Sequence, residues 1–411
     1  MRPQPRSRLD ESRARATTRL SPLATFAVLA MCVATAPLAA QQKADSRHPR
    51  QLDRGIVWHR DPATGELSAV RGGSGSGTGN AEASGGPPPL RALTQMVPVT
   101  CIVSIADGSA LPGLRREDFR IYEDGVARPV AYFDASTAPA SVALVIDASP
   151  SVLRDSEEMK QAADALITAL APLDQAAVVD FSAHTYLQLP FTDVREQARR
   201  AVARVDVREL FGDVGGSNIY EAVYLAASEL FPGRTGRKAI LLLTDWQDSG
   251  LGLTYDPATA APQPGKPADR LTFDDVARKL ATEGIQVFAV STETRPKVMT
   301  PEWLEDHRVA TLLSPNARVL GIPPYTLYLA ELVRRAGGQL YFLRESETMA
   351  DTFRKIAEKI RAEYSLGFYP AAGANGGGAS PGWHSMRVEV PGDIGAQASH
   401  RAAYYVPVSP H

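Results

Sequence analysis

"LVIDASPSVL", residues 144–153, carries an unbroken apolar run straight into an aspartate and two serines spaced two apart. An apolar run of this length, with no polar alternation, is the pattern of a strand covered on both faces. The chain repeats it in "QAAVVDFS" (175–182), "KAILLLTD" (238–245) and "IQVFAVST" (285–292). Helical periodicity fills the intervals. "DSEEMKQAADALITAL" (155–170) puts Met159, Ala163, Leu166, Ile167 and Leu170 on one face, and "TDVREQARRAVARV" (192–205) follows with Thr192 as its expected cap. Further helices are predicted in "SNIYEAVYLAASEL", "FDDVARKLATEG", "LYLAELVRRAGG" and "SETMADTFRKIAEKIRAEY", with "QLYFL" a short strand among them. Strand–helix alternation with fully apolar strands predicts an α/β fold, a doubly wound and mostly parallel sheet, over residues 138–363.

The flanks read differently. "MVPVTCIVSIADG" alternates, two more strand runs lie in "LPGLRREDFRIYEDGVARPVAYF", and Asp124-Gly125 is a hairpin signal. Strand patterns return after Tyr364 in "YSLGFYP", "HSMRVEVPG" and "HRAAYYVP". Neither flank is large enough for a core of its own. Residues 93–137 and 364–411 are therefore expected to pair as one small β-sandwich-like unit.

Upstream, "RGGSGSGTGNAEASGGPPPL" is Gly/Ser-rich and then Pro-rich, and residues 41–92 as a whole are expected to be a disordered linker. Its glycines precede no Gly-Lys-Ser/Thr, so they form no phosphate loop. Residues 1–40 read as an export signal. Six arginines (Arg2, Arg6, Arg8, Arg13, Arg15 and Arg19) precede "LATFAVLAMCVATAPLAA", and cleavage after Ala40 is expected in preference to retention as an anchor, leaving no membrane span. The protein is thus expected outside the cytoplasm, secreted or periplasmic. Loss of Cys32 with the signal leaves Cys101 alone, with no intrachain disulfide, and its place in an alternating strand makes it a small buried hydrophobe. A formal charge of −2 and the lack of a basic block beyond the leader argue against nucleic-acid binding.

Open α/β sheets build their sites at the carboxyl ends of strands. Three segments gather oxygen side chains there: Asp147, Ser149 and Ser151 in "DASPS", Ser217 in the Gly-Gly loop of "FGDVGGSNIYEAV", and Asp245 in "LLLTDWQDSG". These residues resemble the von Willebrand factor A domain and its metal-ion-dependent adhesion site, which has Asp-x-Ser-x-Ser after the first strand, a Thr in a later loop and an Asp after the fourth strand. Segments like "LRREDFRIYEDG" before the domain, and "IRAEYSLGFYP" with a closing "YYVP" after it, are similar to the bacterial VWFA-related subfamily. The resemblance implies a Rossmann-like sheet and an adhesive, non-enzymatic function in which the cation takes a carboxylate from a protein partner. It also implies that Asp147, Ser149, Ser151, Ser217 and Asp245 hold the ion.

Two carboxylates and three hydroxyls are hard oxygen ligands, suited to Mg²⁺ or Mn²⁺ rather than zinc. Two departures stand out. Ser217 replaces the usual Thr, and Trp246 the usual Gly after the last Asp. Trp246 is expected to line the partner-binding face rather than crowd the ion, and Asp213 and Asp248 to serve as loop or supporting carboxylates. A plainer reading makes all five oxygens caps and turns. Two other functions are compatible with such a chain: a scaffold in an envelope assembly with the metal lost, and a metal-dependent hydrolase. The residues speak against catalysis. Ser149 stands where a haloacid-dehalogenase-type phosphatase needs its second Asp, no Gly-x-Ser-x-Gly elbow is present, and the seven histidines form no His-Glu-x-x-His. His184 reads as a solvated loop histidine.

Overall fold

A computed structural model describes residues 49–71 (63 excepted), 96–207 with breaks at 106–108 and 136–137, 217–248 (247 excepted), 254–255, 262–263, 271–294, 324–343, 348–371 and 379–407 (393–394 excepted). The leader, and Asp213, lie outside these residues.

The chain opens with β1 (Arg50–Gln51) and a hairpin of β2 (Ile56–Arg60) and β3 (Leu67–Arg71). Next come β4 (Val97–Ser104), β5 (Arg120–Glu123), β6 (Val126–Arg128) and β7 (Tyr132–Asp134). The α/β region begins with β8 (Ala140–Asp147), α1 (Ser156–Ala169), β9 (Gln175–Phe181), β10 (Thr185–Thr192), α2 (Arg195–Ala203), α3 (Ile219–Leu230) and β11 (Arg237–Thr244). After a short pair, β12 (Thr254–Tyr255) and β13 (Pro262–Gln263), it continues through α4 (Phe273–Glu283), β14 (Gln286–Thr294), α5 (Pro324–Ala336), β15 (Leu340–Leu343) and α6 (Met349–Arg361). Four strands close the described chain: β16 (Tyr364–Phe368), β17 (Gly382–Glu389), β18 (Gln397–His400) and β19 (Ala403–Val406).

The main sheet has the order β1-β10-β9-β8-β11-β14-β15. Strands β9, β8, β11, β14 and β15 run parallel, and β10 and β1 are antiparallel additions at one edge. Every residue of the central strand β8 is buried because helices cover both faces. Alternate β8 side chains feed two cores: Ala143 and Val145 pack toward α3, α4 and α5, while Val142, Leu144 and Ile146 pack toward α1, α2 and α6. All five apolar residues predicted on α1 and its end are buried in the second core. Helix α2 is capped two residues later than predicted. Val194 takes the cap position, and the Thr192 hydroxyl accepts from the Val194 N–H at 3.1 Å, closing a turn ahead of the helix.

The flanking strands form two four-stranded sheets, β18-β4-β16-β7 and β19-β17-β5-β6. Chain-distant strands alternate within them: β4 pairs with β16 and β18, and β5 with β17. Their shared core includes Val99, Cys101, Phe119, Ile121, Leu366, Phe368, Met386 and Val388. Burial pushes the Cys101 thiol far up, so it packs as an apolar group. Asp124 and Gly125 turn the β5–β6 hairpin with φ of 46° and 81°, the left-handed pair that a type I′ turn demands. The Arg237 guanidinium ties the sandwich to the main sheet by donating to the carbonyls of Arg361 at 2.9 Å and Glu363 at 2.7 Å.

Residues 49–71 depart from the expected linker. Strand β1 joins the sheet edge beside β10, Leu52 is fully buried, and β2–β3 docks on α3 and α4. Trp58 meets Tyr224 edge-on with ring centroids 5.4 Å apart, the Tyr224 hydroxyl donates to the Leu67 carbonyl at 2.8 Å, and Arg60 grips Asp275 with two bonds of 2.9 and 2.6 Å. The composition that marks a linker begins only after Arg71, and that stretch lies outside the described residues.

Candidate metal centre

The parallel register brings the site together. Leu243 of β11 lies beside Ile146 of β8, which sets Thr244 and Asp245 next to Asp147 at the carboxyl end of both strands. The backbone then leaves β8 in a tight turn. Asp147 Oδ1 accepts the Ser149 N–H at 2.9 Å, and a short 3-10 turn at Pro150–Val152 leads the chain outward. That turn folds Ser149 back so that its hydroxyl sits 3.0 Å from the hydroxyl of Ser151. Asp147, Ser149, Ser217 and Asp245 are buried, and Ser151 is exposed, so the cluster opens to solvent on the Ser151 side.

Ser217 arrives from the other direction. It precedes α3, whose start is fixed by the loop after β9: the Asn218 N–H donates to the Ser182 carbonyl at 3.0 Å, and its side chain donates to the Ala183 carbonyl at 2.8 Å. This holds the Ser217 hydroxyl 3.2 Å from Asp147 Oδ2. Asp248 accepts the Ile219 N–H at 2.8 Å and so caps the first turn of α3, the supporting role expected of it. Asp147, Ser149, Ser151 and Ser217 are thus joined by hydrogen bonds. Asp245 acts on the cluster through its charge: burial pushes the Asp147 carboxyl up to about 6, the Asp245 charge adds to the rise, and hydrogen bonds from Ser149 and Thr244 oppose it.

Thr244 was missing from the sequence reading. Its hydroxyl donates to Asp147 Oδ2 at 2.7 Å and accepts from the Trp246 N–H at 3.0 Å, locking the carboxylate against the turn after β11. The signal was present as the only hydroxyl in the otherwise apolar run "AILLLT".

Trp246 does not line an outer face, contrary to expectation. It is 1 % exposed and packs into the core against Phe342, with ring centroids 4.8 Å apart. Its φ of 73° explains the departure. A glycine adopts this left-handed backbone freely, whereas Trp incurs strain there and recovers stability through burial of a large ring. The indole lies in the core that α3, α4 and α5 cover.

The donors fit a hard divalent cation. An octahedral ion with oxygens at about 2.0–2.1 Å has neighbouring ligands about 2.9 Å apart, and the Ser149 and Ser151 hydroxyls stand at 3.0 Å. Among the described residues no three His, Cys, Asp or Glu side chains converge as a metal-ligand group. The donor set here is two carboxylates with hydroxyls, which excludes a soft-metal centre of thiolate and imidazole at this place.

A parallel sheet with helices on both faces, and an Asp-x-Ser-x-Ser turn at its carboxyl edge, define a doubly wound α/β domain. Residues 142–248 match the von Willebrand factor type A domain family, and the chain carries a domain of that family. Among curated proteins no sequence matches the chain. Solved structures resemble it distantly. An aerotolerance-related membrane protein from Bacteroides fragilis is 17 % identical with a TM-score of 0.36, over 54 % of this chain and 98 % of that one. A von Willebrand factor type A protein from Catenulispora acidiphila is 14 % identical with a TM-score of 0.38, over 75 % and 74 %. Proximal thread matrix protein 1 from the mussel byssus, with a zinc-occupied MIDAS motif, is 16 % identical with a TM-score of 0.38, over 57 % and 48 %. Likenesses this loose carry no functional argument.

Proposed function

We propose that this is an exported binding protein that recognises a protein partner through Mg²⁺ or Mn²⁺ held by Asp147, Ser149, Ser151, Ser217 and Asp245. The observation that carries the reading is the bonded cluster itself. Asp147 holds Ser149 through its backbone and Ser217 and Thr244 through their hydroxyls, and the two serines of the turn lie at the spacing of neighbouring ligands on one ion. A cation bound there supplies an electrophilic centre for a carboxylate from the partner. The chain's own residues do the rest: Thr244 and Ser217 orient Asp147, Asn218 positions Ser217, and Asp147 with Asp245 balances the +2 charge while leaving the exposed Ser151 side open.

The alternative of catalysis meets one suggestive arrangement. Asp124 Oδ2 lies 2.8 Å from His384 Nδ1, and the Ser380 hydroxyl lies 3.4 Å from His384 Nε2. Nε2 is also 2.7 Å from the Ser380 carbonyl oxygen, to which it must donate. A histidine that donates from both nitrogens is an imidazolium, and these bonds hold its pKa above the ordinary value. It cannot take a proton from the serine, so this trio reads as a surface ion pair.

The test is capture of envelope proteins on immobilised full chain, with and without excess EDTA. A partner retained in Mg²⁺, released by EDTA and absent on Asp147→Ala supports the reading. A partner retained equally in EDTA and by Asp147→Ala overturns it in favour of a metal-free scaffold.

A further inference from the structure

The closing strands change sheets at one corner of the sandwich. Strand β18 pairs with β4, with His400 opposite Cys101, while β19 pairs with β17 from Ala403 opposite Ser385 to Val406 opposite Gly382. Arg401 and Ala402 make the crossing between them. The ladder on β17 runs one bond past β19, where the Met386 N–H donates to the Ala402 carbonyl at 2.8 Å. Further along β17, the Val388 N–H donates to Nε2 of the half-buried His400 ring at 2.9 Å. An imidazole nitrogen there takes the place of a strand carbonyl.

His400 Nδ1 lies 2.8 Å from the Arg401 carbonyl oxygen, to which it donates. One ring nitrogen therefore carries a proton and the other cannot, which fixes the neutral ring with its proton on Nδ1. A carbonyl accepts at any pH, whereas an imidazole nitrogen stops accepting once it is protonated.

The surroundings oppose that proton. Burial pushes the His400 pKa below the ordinary value; the bond to the Arg401 carbonyl works against this, and the charges of Arg334 on α5, Arg387 on β17 and Arg401 add to it. The carboxylates on those elements are taken: Glu331 by Arg334 and Arg335 at 2.8 and 2.7 Å, and Glu389 by Arg387. From β4 the ring faces Cys101, a buried neutral thiol.

The same corner joins the sandwich to the α/β region. Arg401 donates to the Ala281 carbonyl near the end of α4 at 2.9 Å and to the Pro98 carbonyl of β4. Gly337, at a φ of 81°, packs directly against the Arg401 backbone.

We propose that His400 is an acid-sensitive latch: protonation of its ring takes the acceptor from Val388, frees the corner between β18 and β19, and loosens the cover that β18 gives to β4. The unfolded ring gains its proton near about pH 6.5, and the native ring only at lower pH. The latch's contribution to stability is therefore full above about pH 6.5 and is lost as pH falls through the native value. It acts whether or not the oxygen cluster holds a cation.

Amide exchange of the full chain, wild type against His400→Gln, tests it, because Gln offers an oxygen near the place of Nε2 and takes no proton in this range. Comparing the two proteins at one pH cancels the acid effects they share. At about pH 7.5 Val388 and Ile102–Ser104 should exchange alike in both, and at about pH 4.5 they should exchange roughly tenfold faster in the wild type. Equal rates in acid would overturn the proposal. Nitrogen NMR spectra of the seven wild-type histidines need no variant. One ring should carry its proton on Nδ1 at neutral pH and titrate below about pH 6.5 together with the Val388 amide. No such ring, or one whose titration leaves Val388 unmoved, would overturn the proposal even if His400→Gln failed to fold.

Discussion

Asp53 and His184 lie 2.6 Å apart, joining the segment just after β1 to the loop after β9. The same loop presents the Ser182 and Ala183 carbonyls that fix Asn218, next to Ser217. An N-terminal segment is thereby clamped to a loop that positions one hydroxyl of the candidate metal centre. Asp53→Ala should cost about 1–2 kcal/mol, the net worth of a charged hydrogen bond that is half-exposed on the His184 side. It should also weaken Mn²⁺ several-fold through Ser217. Chemical denaturation and calorimetry on the same variant check both effects. A stability loss with unchanged Mn²⁺ affinity would show that the clamp serves folding alone.

Thr244→Val preserves shape and removes the hydroxyl that bonds both Asp147 and the Trp246 N–H. Two buried groups lose a partner, so a loss of about 1–3 kcal/mol is expected. Thr244→Ser should recover most of it. Urea unfolding of the pair decides the point, and equal stability of Val and wild type would remove Thr244 from the site.

The β-sandwich draws its strands from both ends of the chain, with β18 covering β4 from Cys101 to Ser104. Deletion of residues 397–407 should bare that edge and withdraw the Tyr404 ring from the shared core. Amide exchange at Val99–Ser104 should then quicken by an order of magnitude or more, since an uncovered small sheet is marginal. Unchanged protection there would mean that the N-terminal strands stand alone.

Glu363 is buried where the last helix meets β16, and desolvation pushes its carboxyl up to about 8, with Arg237 opposing the rise. An unfolded glutamate releases its proton near 4.3. Between these values the native state holds more protons than the unfolded one, so this group's contribution to stability falls as pH rises from about 4.5 to about 8. Glu363→Gln, which imitates the protonated form, should lose less stability than wild type between pH 5 and pH 8. Parallel stability–pH curves for the two proteins would contradict the assignment.

The parallel strands were legible because burial on both faces leaves no polar residue in the middle of β8 (Val142–Ile146) or of β11 (Ala239–Leu243). The hairpin at 56–71 was not legible. Val57 and Val70 are 63 % and 52 % exposed, so its apolar content is thin, and what holds it are partners far along the chain, Tyr224 and Asp275. The direction of Trp246 was equally hidden, because it depends on a left-handed φ that no L-residue pattern announces. Thr244 could have been found, since a lone hydroxyl at the end of an apolar strand beside an aspartate has few other uses.

Calorimetric titration of Mn²⁺ into wild type and Asp147→Ala tests the central claim most directly. Asp147 is the hub of the cluster, accepting from Ser149, Ser217 and Thr244, so its removal takes away one negative charge and the orientation of the hydroxyls together. Mn²⁺ affinity should fall at least tenfold while the fold survives, because in the metal-free protein the variant also relieves the repulsion between Asp147 and Asp245. Equal Mn²⁺ affinity in the two proteins would contradict the account and leave these oxygens as turn and cap residues.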